Sequence, residues 1–522
     1  MKKKVNVLYI ERVSCGEGVL EEYKEFIESV FKSLNYEANV VTYSKKPDRK
    51  EISSIIDNKN VDIIFCDITL GTEMGENVLG LMLIKELKNE HPEIMICGIS
   101  GEDVGYRNTS YPKNLPSFDL FINKGMCNEE VYNNFIIDEI RRVFCANTEI
   151  EIVKVNLSED DERFVNKPFF TRLLKLITFT THESDSGTNV KTITLFPTSG
   201  GYSQSYVFKM CCQTANGEKV IYSALKCSKK EYAIQEINNY KNYVKWYLPY
   251  TWRPEILSYA IGKDYGMICY SFAYNADEAF SSITDKIKIG DYAKVDNAIE
   301  RIFSTKTRKW YSEKNCHNVN EAIGRYYTNI YFQGRNRPHE YVEKFITKLG
   351  GHINKGKYYI SGSSFPMAHK MFSDVVTRNY QACICHGDLN TNNILTSDES
   401  NGLIFIDFQE TKKGHVFHDF IVFEMCFRLY RETGFTFNKL LDIEIAISEN
   451  NFEAIEDKNE TYEQIKKLRG LAKENFPDEN FKTYHYGMAM RAFRLFRNHD
   501  KLEQWQCEAL LAVMLSNLKL LF

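Results

Sequence analysis

Residues 1–148 alternate short apolar runs with stretches whose apolar positions recur at helical spacing. The apolar runs predict strands, at residues 5–10, 38–43, 61–66, 94–99 and 118–122. The helical spacing predicts helices, at residues 20–34, 50–57, 78–90 and 129–145. Strands that alternate with helices pack as a parallel sheet with helices on both faces. We therefore predict an α/β fold with a doubly wound parallel sheet for residues 1–148.

A different pattern begins at residue 191. Residues 191–275 hold several strand-like runs and one predicted helix, at 231–246, whereas residues 276–522 are mostly helical apart from a β-rich segment at 384–408. Residues 149–190, between the two patterns, combine an acidic run, an amphipathic stretch and a polar run. This combination predicts a linker with one packed helix. The chain is thus predicted to be multidomain.

Composition narrows the class of protein. The 522 residues are too many for one hydrophobic core, and 43% hydrophobic with 26% charged residues is typical of folded domains. A net charge of −4 argues against a general nucleic-acid binder. The 14 cysteines form no C-x-x-C pair, the first residues show no signal-peptide pattern, and no apolar run approaches the ~20 residues of a membrane helix. We predict a reduced, cytoplasmic protein without a nucleic-acid or membrane partner.

The β-rich segment holds the closest grouping of candidate catalytic and metal-binding residues. An apolar strand leads into His386-Gly387-Asp388, Asn393 follows in the same loop, and a second apolar strand leads to Asp407. Phosphoryl transfer needs a carboxylate that orients the acceptor hydroxyl and takes its proton, together with hard oxygen ligands for Mg²⁺. Asp388 can supply the first function, and Asn393 with Asp407 can supply the second.

This segment resembles the aminoglycoside phosphotransferase/choline kinase family, whose catalytic loop reads H-G-D-x₄-N and whose metal segment reads I-D-F/W. The resemblance implies a bilobal α+β fold of protein-kinase type, with an N-lobe at residues 191–275 and a largely helical C-lobe at 276–522. It implies that Asp388 is the catalytic base and that Asn393 and Asp407 are metal ligands. It also implies that His386 and Asp419 support the catalytic loop structurally.

The N-lobe carries the residues that the resemblance assigns to the nucleotide, which is ATP or GTP with Mg²⁺. Residues 198–208 resemble the turn that covers the nucleotide, and glycines there let backbone N–H groups approach phosphates. The candidate binding residues of this turn are Gly200, Gly201 and Ser203. Lys226, on a predicted strand, matches the lysine that holds the phosphates. Glu236, on the following helix, is the preferred partner of that lysine, with Glu231 as the alternative.

Two positions depart from related patterns. Protein kinases of the eukaryotic type usually carry Arg where this chain has Gly387, so a phosphorylated activation loop has no obvious partner here. The family usually has Gly-Asp-Pro shortly before Asp419, where this chain has Gly414-His415-Val416. We therefore expect regulation to come from another part of the chain.

A second set of polar residues follows the strands of the N-terminal domain. Asp67, Ser100 and Lys124 each come at or just after the end of a predicted strand. The carboxyl ends of parallel strands share one edge of the sheet, where ligands bind in open α/β folds. A carboxylate, a hydroxyl and an ammonium group that converge there suit an aspartyl-phosphate.

These residues resemble a response-regulator receiver domain, which has a flavodoxin-like fold. The resemblance implies that Asp67 is the phosphoacceptor, supported by Glu11, Ser100 and Lys124. The usual acidic pair is Glu11-Arg12 here, and the usual Lys-Pro is Lys124-Gly125. The first departure replaces a metal-binding carboxylate by a cation, and the second removes the proline turn after the lysine. Both argue against metal-dependent phosphorylation, so a domain used only for docking or dimerisation stays an alternative.

Together the two resemblances predict an ATP- and Mg²⁺-dependent phosphotransferase that acts on a hydroxyl acceptor in bacterial-type signalling or stress response. A receiver-like domain would regulate it, with an upstream histidine kinase or another protein as partner. The sequence does not predict which small molecule or protein is the acceptor. A homodimer is a possible assembly. The alternatives are a pseudokinase scaffold that binds nucleotide and relays a signal, and nucleotidyl transfer on the same fold.

Overall fold

The fold divides into two compact units, Met1–Ile234 with Glu255–Phe272 and Gln235–Pro254 with Ala273–Phe522. The computed structural model describes all residues except 1–2, 13–15, 69, 71–78, 92, 101–119, 125–132, 135, 138–139, 141–149, 168, 175–176, 178–189, 198–204, 215–219, 272–279, 305–309, 312–316, 373–378, 398–401 and 457–458.

The first unit begins with a five-stranded sheet in which every neighbouring pair is parallel. Its strands are β1 (Lys3–Ile10), β2 (Tyr36–Tyr43), β3 (Ile63–Asp67), β4 (Met95–Ser100) and β5 (Leu120–Asn123). The spatial order β2-β1-β3-β4-β5 is the order of flavodoxin-like doubly wound sheets. Strands in this order end at one common edge, which brings residues from different strands together.

Both faces of this sheet are covered. Along β1, Val7 and Tyr9 belong to one hydrophobic cluster, whereas Leu8 and Ile10 belong to a second cluster on the other face. The described helices of this region are α1 (Glu17–Ser33), α2 (Arg49–Lys59) and α3 (Leu79–Glu90). Helix α1 packs in the first cluster, and α2 and α3 pack in the second. Burial on both faces explains why the strand sequences are nearly continuous apolar runs.

The same unit contains a six-stranded sheet in the order β10-β11-β9-β8-β7-β6. Its strands are β6 (Glu151–Lys154), β7 (Val190–Pro197), β8 (Tyr206–Thr214), β9 (Val220–Lys229), β10 (Ile256–Ile261) and β11 (Tyr265–Ser271). Only the β6–β7 pair is parallel. Strand β9, which carries Lys226, lies between β8 and β11 in this sheet.

The segment predicted as a linker contributes directly to this sheet. Its residues form β6 and helix α4 (Glu159–Val165), whose N-terminus is capped by the Ser158 side chain. The acidic run lies in the first turn of α4, where negative side chains stabilise the helix by interacting with the positive end of its dipole. Phe164 stacks on Tyr206 with ring centroids 3.6 Å apart. The aromatic positions of the segment therefore complete the hydrophobic core of the six-stranded sheet.

The helix predicted at 231–246 is present as three consecutive helical segments. They are α5 (Lys230–Asn239), a π-helical turn (Tyr240–Val244) and a last α-helical turn (Lys245–Tyr247). The π-turn inserts extra backbone into an otherwise regular helix.

The second unit is mostly helical, as the pattern predicts. Its helices are α6 (Ile283–Ile289), α7 (Tyr292–Phe303), α8 (Ile323–Phe332), α9 (His339–Lys348), α10 (His418–Leu429), α11 (Phe437–Ser448), α12 (Glu460–Asn475), α13 (Lys482–Leu495) and α14 (Gln504–Leu521). None of the helices in the described ranges has both the length and the hydropathy of a membrane-spanning segment.

Three small sheets accompany these helices. Their strands are β12 (Phe280–Ser282), β13 (His317–Val319), β14 (His352–Asn354), β15 (Lys357–Ile360), β16 (Ser363–Pro366), β17 (Tyr380–Cys385), β18 (Ile394–Ser397), β19 (Leu403–Phe405) and β20 (Lys412–His415). The β14–β15 hairpin is not predicted by the sequence pattern. Its turn holds Lys355 and Gly356 at φ of 46° and 72°, and two positive φ angles suit a tight hairpin.

A buried ionic network holds α10 against the C-terminal helices. Glu424 accepts hydrogen bonds from Arg469 Nε and Nη2 at 2.9 and 2.8 Å, and Arg428 bonds to Glu444 at 2.9 and 3.0 Å. Burial alone would raise the pKa of Glu424, but the charges of Arg469 and Arg428 outweigh it and hold the pKa at about 2. Glu424 is therefore charged at neutral pH, and its pairing fixes the position of α10.

Two helical glycines offer a direct test of the packing around α13. A Cβ atom at Gly487, on α13, would lie 2.4 Å from Ile421 Cδ1 and 2.5 Å from the Tyr327 hydroxyl, whereas one at Gly470, on α12, would meet nothing within 4 Å. We expect Gly487→Ala to destabilise the protein by about 1–3 kcal/mol because of overpacking. Gly470→Ala should stabilise it by up to about 1 kcal/mol through helix propensity. Thermal unfolding of both variants checks the opposite signs, and a stabilised Gly487→Ala would contradict this packing.

Candidate active site

The loop that carries Asp388 is set between two small antiparallel pairings. Strand β17 runs into His386 and pairs with β20, and β18 pairs with β19. The Ile406 amide donates to the Asn393 carbonyl at 3.0 Å, which extends the β18–β19 ladder by one bond. Asn393 and Asp407 therefore lie at the same end of this ladder, next to the loop of Asp388.

The backbone of His386 and Gly387 is held at all four of its polar groups. Asp419 accepts from the His386 amide at 2.7 Å and from the Gly387 amide at 3.0 Å. Thr411 Oγ1 donates to the His386 carbonyl at 3.2 Å, and His418 Nε2 bonds to the Gly387 carbonyl at 2.9 Å. No freedom is left for this dipeptide to rotate without losing a buried hydrogen bond.

Asp419 itself is completely buried and receives a third hydrogen bond, from the Tyr311 hydroxyl at 2.7 Å. Burial raises the pKa of Asp419, while the charge of His386 and these hydrogen bonds oppose the increase. The three donors compensate for the loss of water around the carboxylate. The structure thus places Asp419 directly against the loop of Asp388.

Two histidines support the loop through their ring nitrogens. Burial lowers the pKa of His418 to about 3, so its ring is uncharged near pH 7. Its Nε2 carries the proton because the Gly387 carbonyl can only accept. His386 is also buried, and its Nε2 lies 3.0 Å from the Ile406 carbonyl. His386 therefore joins the loop of Asp388 to the residue before Asp407.

Gly387 is required by the backbone. Its φ is 85°, and a Cβ atom would lie 2.1 Å from the carbonyl oxygen of Glu410. A larger residue would face both left-handed backbone strain and a direct clash with main chain. The absence of Arg at this position is therefore a steric necessity of this loop.

The three candidate reactive side chains are partly exposed, in contrast to the buried support beneath them. The Asp388 side chain is 41% exposed, and Asn393 and Asp407 are half-buried. Asn393 Nδ2 donates to the Asp388 carbonyl at 2.9 Å, so this bond does not involve its Oδ1, the atom of an amide that can ligate a cation. Asp407 has a φ of 64°, a left-handed conformation that aspartate tolerates better than most residues and that often occurs at functional sites.

Asn393 and Asp407 supply one amide and one carboxylate oxygen, which are ligands that Mg²⁺ accepts when water and phosphate complete its shell. Within the described ranges, no group of three or more His, Cys, Asp or Glu side chains is arranged to hold a metal. Asn393 and Asp407 alone would leave most of a Mg²⁺ coordination shell to water or phosphate oxygens.

Sequence reasoning missed several residues of this site. Arg491, on α13, lies with Nη2 3.5 Å from Asp388 Oδ1. The Tyr430 hydroxyl bonds to the side chains of Asn390 and Asn392 at 3.2 and 2.9 Å, and the Thr284 and Thr391 hydroxyls are 2.6 Å apart. No local motif surrounds these partners, because they reach the loop only through tertiary packing.

The predicted nucleotide residues lie partly within the described ranges. Lys226 is on β9, paired with Val207 on β8 and Ile268 on β11, and is buried. Glu236 is on α5 and is fully buried. Gly200, Gly201 and Ser203 lie outside the described residues.

The N-terminal domain brings three of its predicted residues together. Lys124 Nζ is 2.8 Å from Asp67 Oδ2 and also bonds to Glu11, which receives a further bond from the Tyr9 hydroxyl. Burial and then Asp67 raise the pKa of Glu11, against the attraction of Lys124. Ser100 is buried at the end of β4, the strand that pairs with β3. Arg12 is exposed.

This domain also contacts the six-stranded sheet within the same unit. Lys263 Nζ is 2.8 Å from Asp57 Oδ2, and Arg172 Nη1 donates to the Val61 carbonyl at 3.1 Å. A Cβ atom at Gly262 would lie 3.4 Å from Glu93 Oε2, so the chain also approaches closely there. The end of α2 and the residues before β4 therefore face the β10–β11 hairpin.

Residues 368–436 match the model of the phosphotransferase enzyme family. This range contains the whole loop of Asp388 together with Asn393, Asp407 and Asp419. The C-terminal part of the chain therefore contains a segment similar to this phosphotransferase family. Among curated proteins, none matches the chain.

Solved structures give further matches. An aminoglycoside phosphotransferase from Streptomyces rimosus aligns over 57% of this chain and 98% of its own, at 12% identity and a TM-score of 0.27. An amicoumacin kinase in complex with AMP-PNP and Ca²⁺ aligns over 59% and 81%, at 11% identity and 0.27. The Plasmodium vivax ethanolamine kinase aligns over 63% and 84%, at 10% identity and 0.29.

Gly387 and Gly334 form a matched pair for testing the loop. Both have positive φ, 85° and 64°, but a Cβ atom at Gly334 would meet nothing within 4 Å. We expect Gly334→Ala to cost about 1 kcal/mol of left-handed strain, and Gly387→Ala to cost about 3 kcal/mol or more because the clash is added. Thermal unfolding measures both costs. Hydrogen exchange of a peptide covering residues 386–388 should accelerate only in Gly387→Ala, and equal exchange in the two variants would contradict the proposed clash.

Proposed function

We propose that this chain is an ATP- and Mg²⁺-dependent phosphotransferase that acts on a hydroxyl acceptor. The observation that carries the proposal is the loop of Asp388, whose backbone is held by Asp419, with Asn393 and Asp407 at the adjacent end of a strand ladder. The phosphotransferase-family match over residues 368–436 covers the same elements. A rigid loop matters because phosphoryl transfer depends mainly on positioning and charge stabilisation.

In the proposed reaction the acceptor hydroxyl lies at Asp388. The hydroxyl oxygen attacks the γ-phosphorus, the bond from phosphorus to the bridging oxygen of ADP breaks, and the hydroxyl proton passes to the Asp388 carboxylate. Asn393 and Asp407 would hold Mg²⁺, which neutralises charge on the phosphates when bound. The partial exposure of Asp388 gives the acceptor access to the carboxylate.

The nucleotide would be held by residues of the six-stranded sheet and its connections. Lys226 would bind the phosphates and Glu236 would orient that lysine, with backbone N–H groups around Gly200, Gly201 and Ser203 as further donors. ATP and GTP offer the same phosphates to these groups. Contacts to the nucleobase, and not to the phosphates, would therefore distinguish ATP from GTP.

Regulation is proposed to come from the N-terminal domain acting as a receiver. The cluster of Asp67, Glu11 and Lys124 at the edge of the parallel sheet supports this role, because phosphorylation of Asp67 would change the charge that Lys124 neutralises. The contacts of Asp57 with Lys263, in the β10–β11 hairpin, and of Val61 with Arg172 offer a route by which such a change would reach the nucleotide-binding part. An upstream histidine kinase, or another phosphodonor, would be the partner.

Removal of the proposed base and metal ligand tests the reaction. We expect Asp388→Asn to lower phosphoryl transfer by about 10²–10⁴-fold, since the proton acceptor is lost. Asp407→Ala should raise the Mg²⁺ concentration needed for half-maximal activity. Product formation from γ-labelled ATP against a library of hydroxyl metabolites gives both measurements.

Asp442→Asn is the matched control for this test, because it makes the same chemical change at an exposed position of α11 in the same unit. It should leave transfer unchanged. Full transfer by Asp388→Asn would exclude Asp388 as the base, and labelling of products by AMP instead of the γ-phosphate would establish nucleotidyl transfer.

Acetyl phosphate tests the receiver proposal separately. We expect labelled acetyl phosphate to modify the wild-type chain and Asp160→Ala, an exposed aspartate of the same unit, but not Asp67→Ala. Intact-protein mass spectrometry detects the added phosphoryl group. An unlabelled wild-type chain would identify the N-terminal domain as a docking module instead.

A further inference from the structure

Two arginines of α13 lie on the Asp388 side of the second unit. Arg491 Nη2 is 3.5 Å from Asp388 Oδ1, and Arg494 follows one helical turn later, so both side chains project from the same face. The guanidinium carbons of Arg491 and Arg494 lie 5.9 and 5.6 Å from the centroid of the Tyr331 ring. Tyr331 thus keeps both cations near the proposed base.

The charges of this group are unbalanced. Arg491 is only 8% exposed, and its Nε has no hydrogen-bond partner among the described residues. Arg494 makes no ion pair with any carboxylate of the described ranges, while Asp388 is the carboxylate whose charge acts on both arginines. Burial, and then the charge of Arg491, lower the pKa of Arg494 to about 10. Two guanidinium groups therefore share one partly exposed carboxylate.

Such an arrangement is costly unless a further anion is bound. A guanidinium group removed from water loses hydration, and repulsion between two cations adds to the loss. Arginine also offers several N–H donors in a planar fork, which matches carboxylate and phosphate oxygens. The pair is thus chemically suited to an anionic group that lies within a few ångströms of Asp388.

We propose that Arg491 and Arg494 bind an anionic group, a carboxylate or a phosphate, of the acceptor whose hydroxyl lies at Asp388. The inference rests on the proposed phosphotransferase function for the position of that hydroxyl. It predicts that the acceptor is a hydroxy acid or a phosphorylated alcohol. A polycationic acceptor would meet repulsion from both arginines.

The anionic group takes no part in bond making. The acceptor hydroxyl still attacks the γ-phosphorus, ADP leaves, and the proton passes to Asp388. Binding of the anion draws the arginines toward it and away from Asp388, so the carboxylate becomes more available to the hydroxyl. Arg491 and Arg494 are therefore specificity-determining residues of the acceptor site.

The first experiment measures acceptor preference. Wild type, Arg494→Gln and the control Arg325→Gln, whose side chain is 77% exposed on α8, are assayed with γ-labelled ATP and matched acceptors: glycerol and glycerate, and ribose and ribose 5-phosphate. We expect kcat/KM to favour the anionic member of a pair by about tenfold or more in wild type and in Arg325→Gln. In Arg494→Gln the ratio should fall toward one, with the KM for ATP unchanged. Equal use of neutral and anionic members by wild type would overturn the inference.

The second experiment detects the anion site without catalysis. Inorganic phosphate is titrated into each protein with AMP-PNP and Mg²⁺ at saturation, so that the γ-phosphate position of the nucleotide is already filled. We expect Arg491→Gln and Arg494→Gln each to weaken phosphate binding by about tenfold, with no change in Arg325→Gln. Undiminished binding in both variants would remove the proposed site.

The two experiments separate the inference from the proposed function. Phosphate binding that depends on Arg494, without phosphorylation of any acceptor in the panel, would leave the anion site standing and count against the transfer activity. If phosphate binds the free protein in an Arg494-dependent way but no longer binds once AMP-PNP is present, the arginines serve the nucleotide phosphate, and the acceptor assignment is wrong. Thermal unfolding of each variant checks that the fold is retained.

Discussion

The buried carboxylate of Asp419 is the interaction on which the candidate site depends. It accepts hydrogen bonds from two backbone amides of the His386-Gly387 dipeptide and from one tyrosine hydroxyl. It lies at the start of α10, in which every residue but the last is buried. A neutral replacement for such a carboxylate would weaken three hydrogen bonds at once. Asp388 follows Gly387 directly, so these hydrogen bonds also fix the position of its backbone, while its side chain stays partly exposed to solvent.

The helix that carries Asp419 is itself positioned by charge. Glu424 lies on α10 and joins two arginines in a network with no exposed member. A buried ion pair is not by itself a source of stability, but breaking one partner leaves an uncompensated charge. The network therefore acts mainly to specify one arrangement of α10, α11 and α12. Because Asp419 lies on α10, this arrangement also sets the position of the loop of Asp388.

Cations set against carboxylates recur in both candidate sites. Lys124 lies between Asp67 and Glu11 in the N-terminal domain, and Arg491 lies beside Asp388 in the C-terminal part. In each case the cation can bind phosphate oxygens or another anion, and the carboxylate is the group proposed to react. The first cluster has two carboxylates for one ammonium group, whereas the second has two guanidinium groups for one carboxylate. An excess of positive charge, and with it a place for a further anion, is therefore found only beside Asp388.

The sequence by itself determined the local elements and which loop residues lie close together. Alternating apolar runs predicted the strands of the parallel sheet, because burial on both faces leaves a clear pattern. The loop residues His386, Asp388, Asn393, Asp407 and Asp419 were also predicted, since they lie close together along the chain and their spacing is visible. The role of residues 149–190 was not, because a short parallel edge strand and a few buried aromatics give no period.

Only the tertiary structure decided what surrounds those residues. Gly387 is explained by a main-chain contact with Glu410, and Arg491 reaches Asp388 from a helix about a hundred residues later in the chain. Tyr311, Thr411 and His418 complete the hydrogen bonds of the loop. Local composition carries no trace of such partners, because a hydrogen bond or an ion pair between distant segments depends on how the helices pack and not on the residues beside either partner.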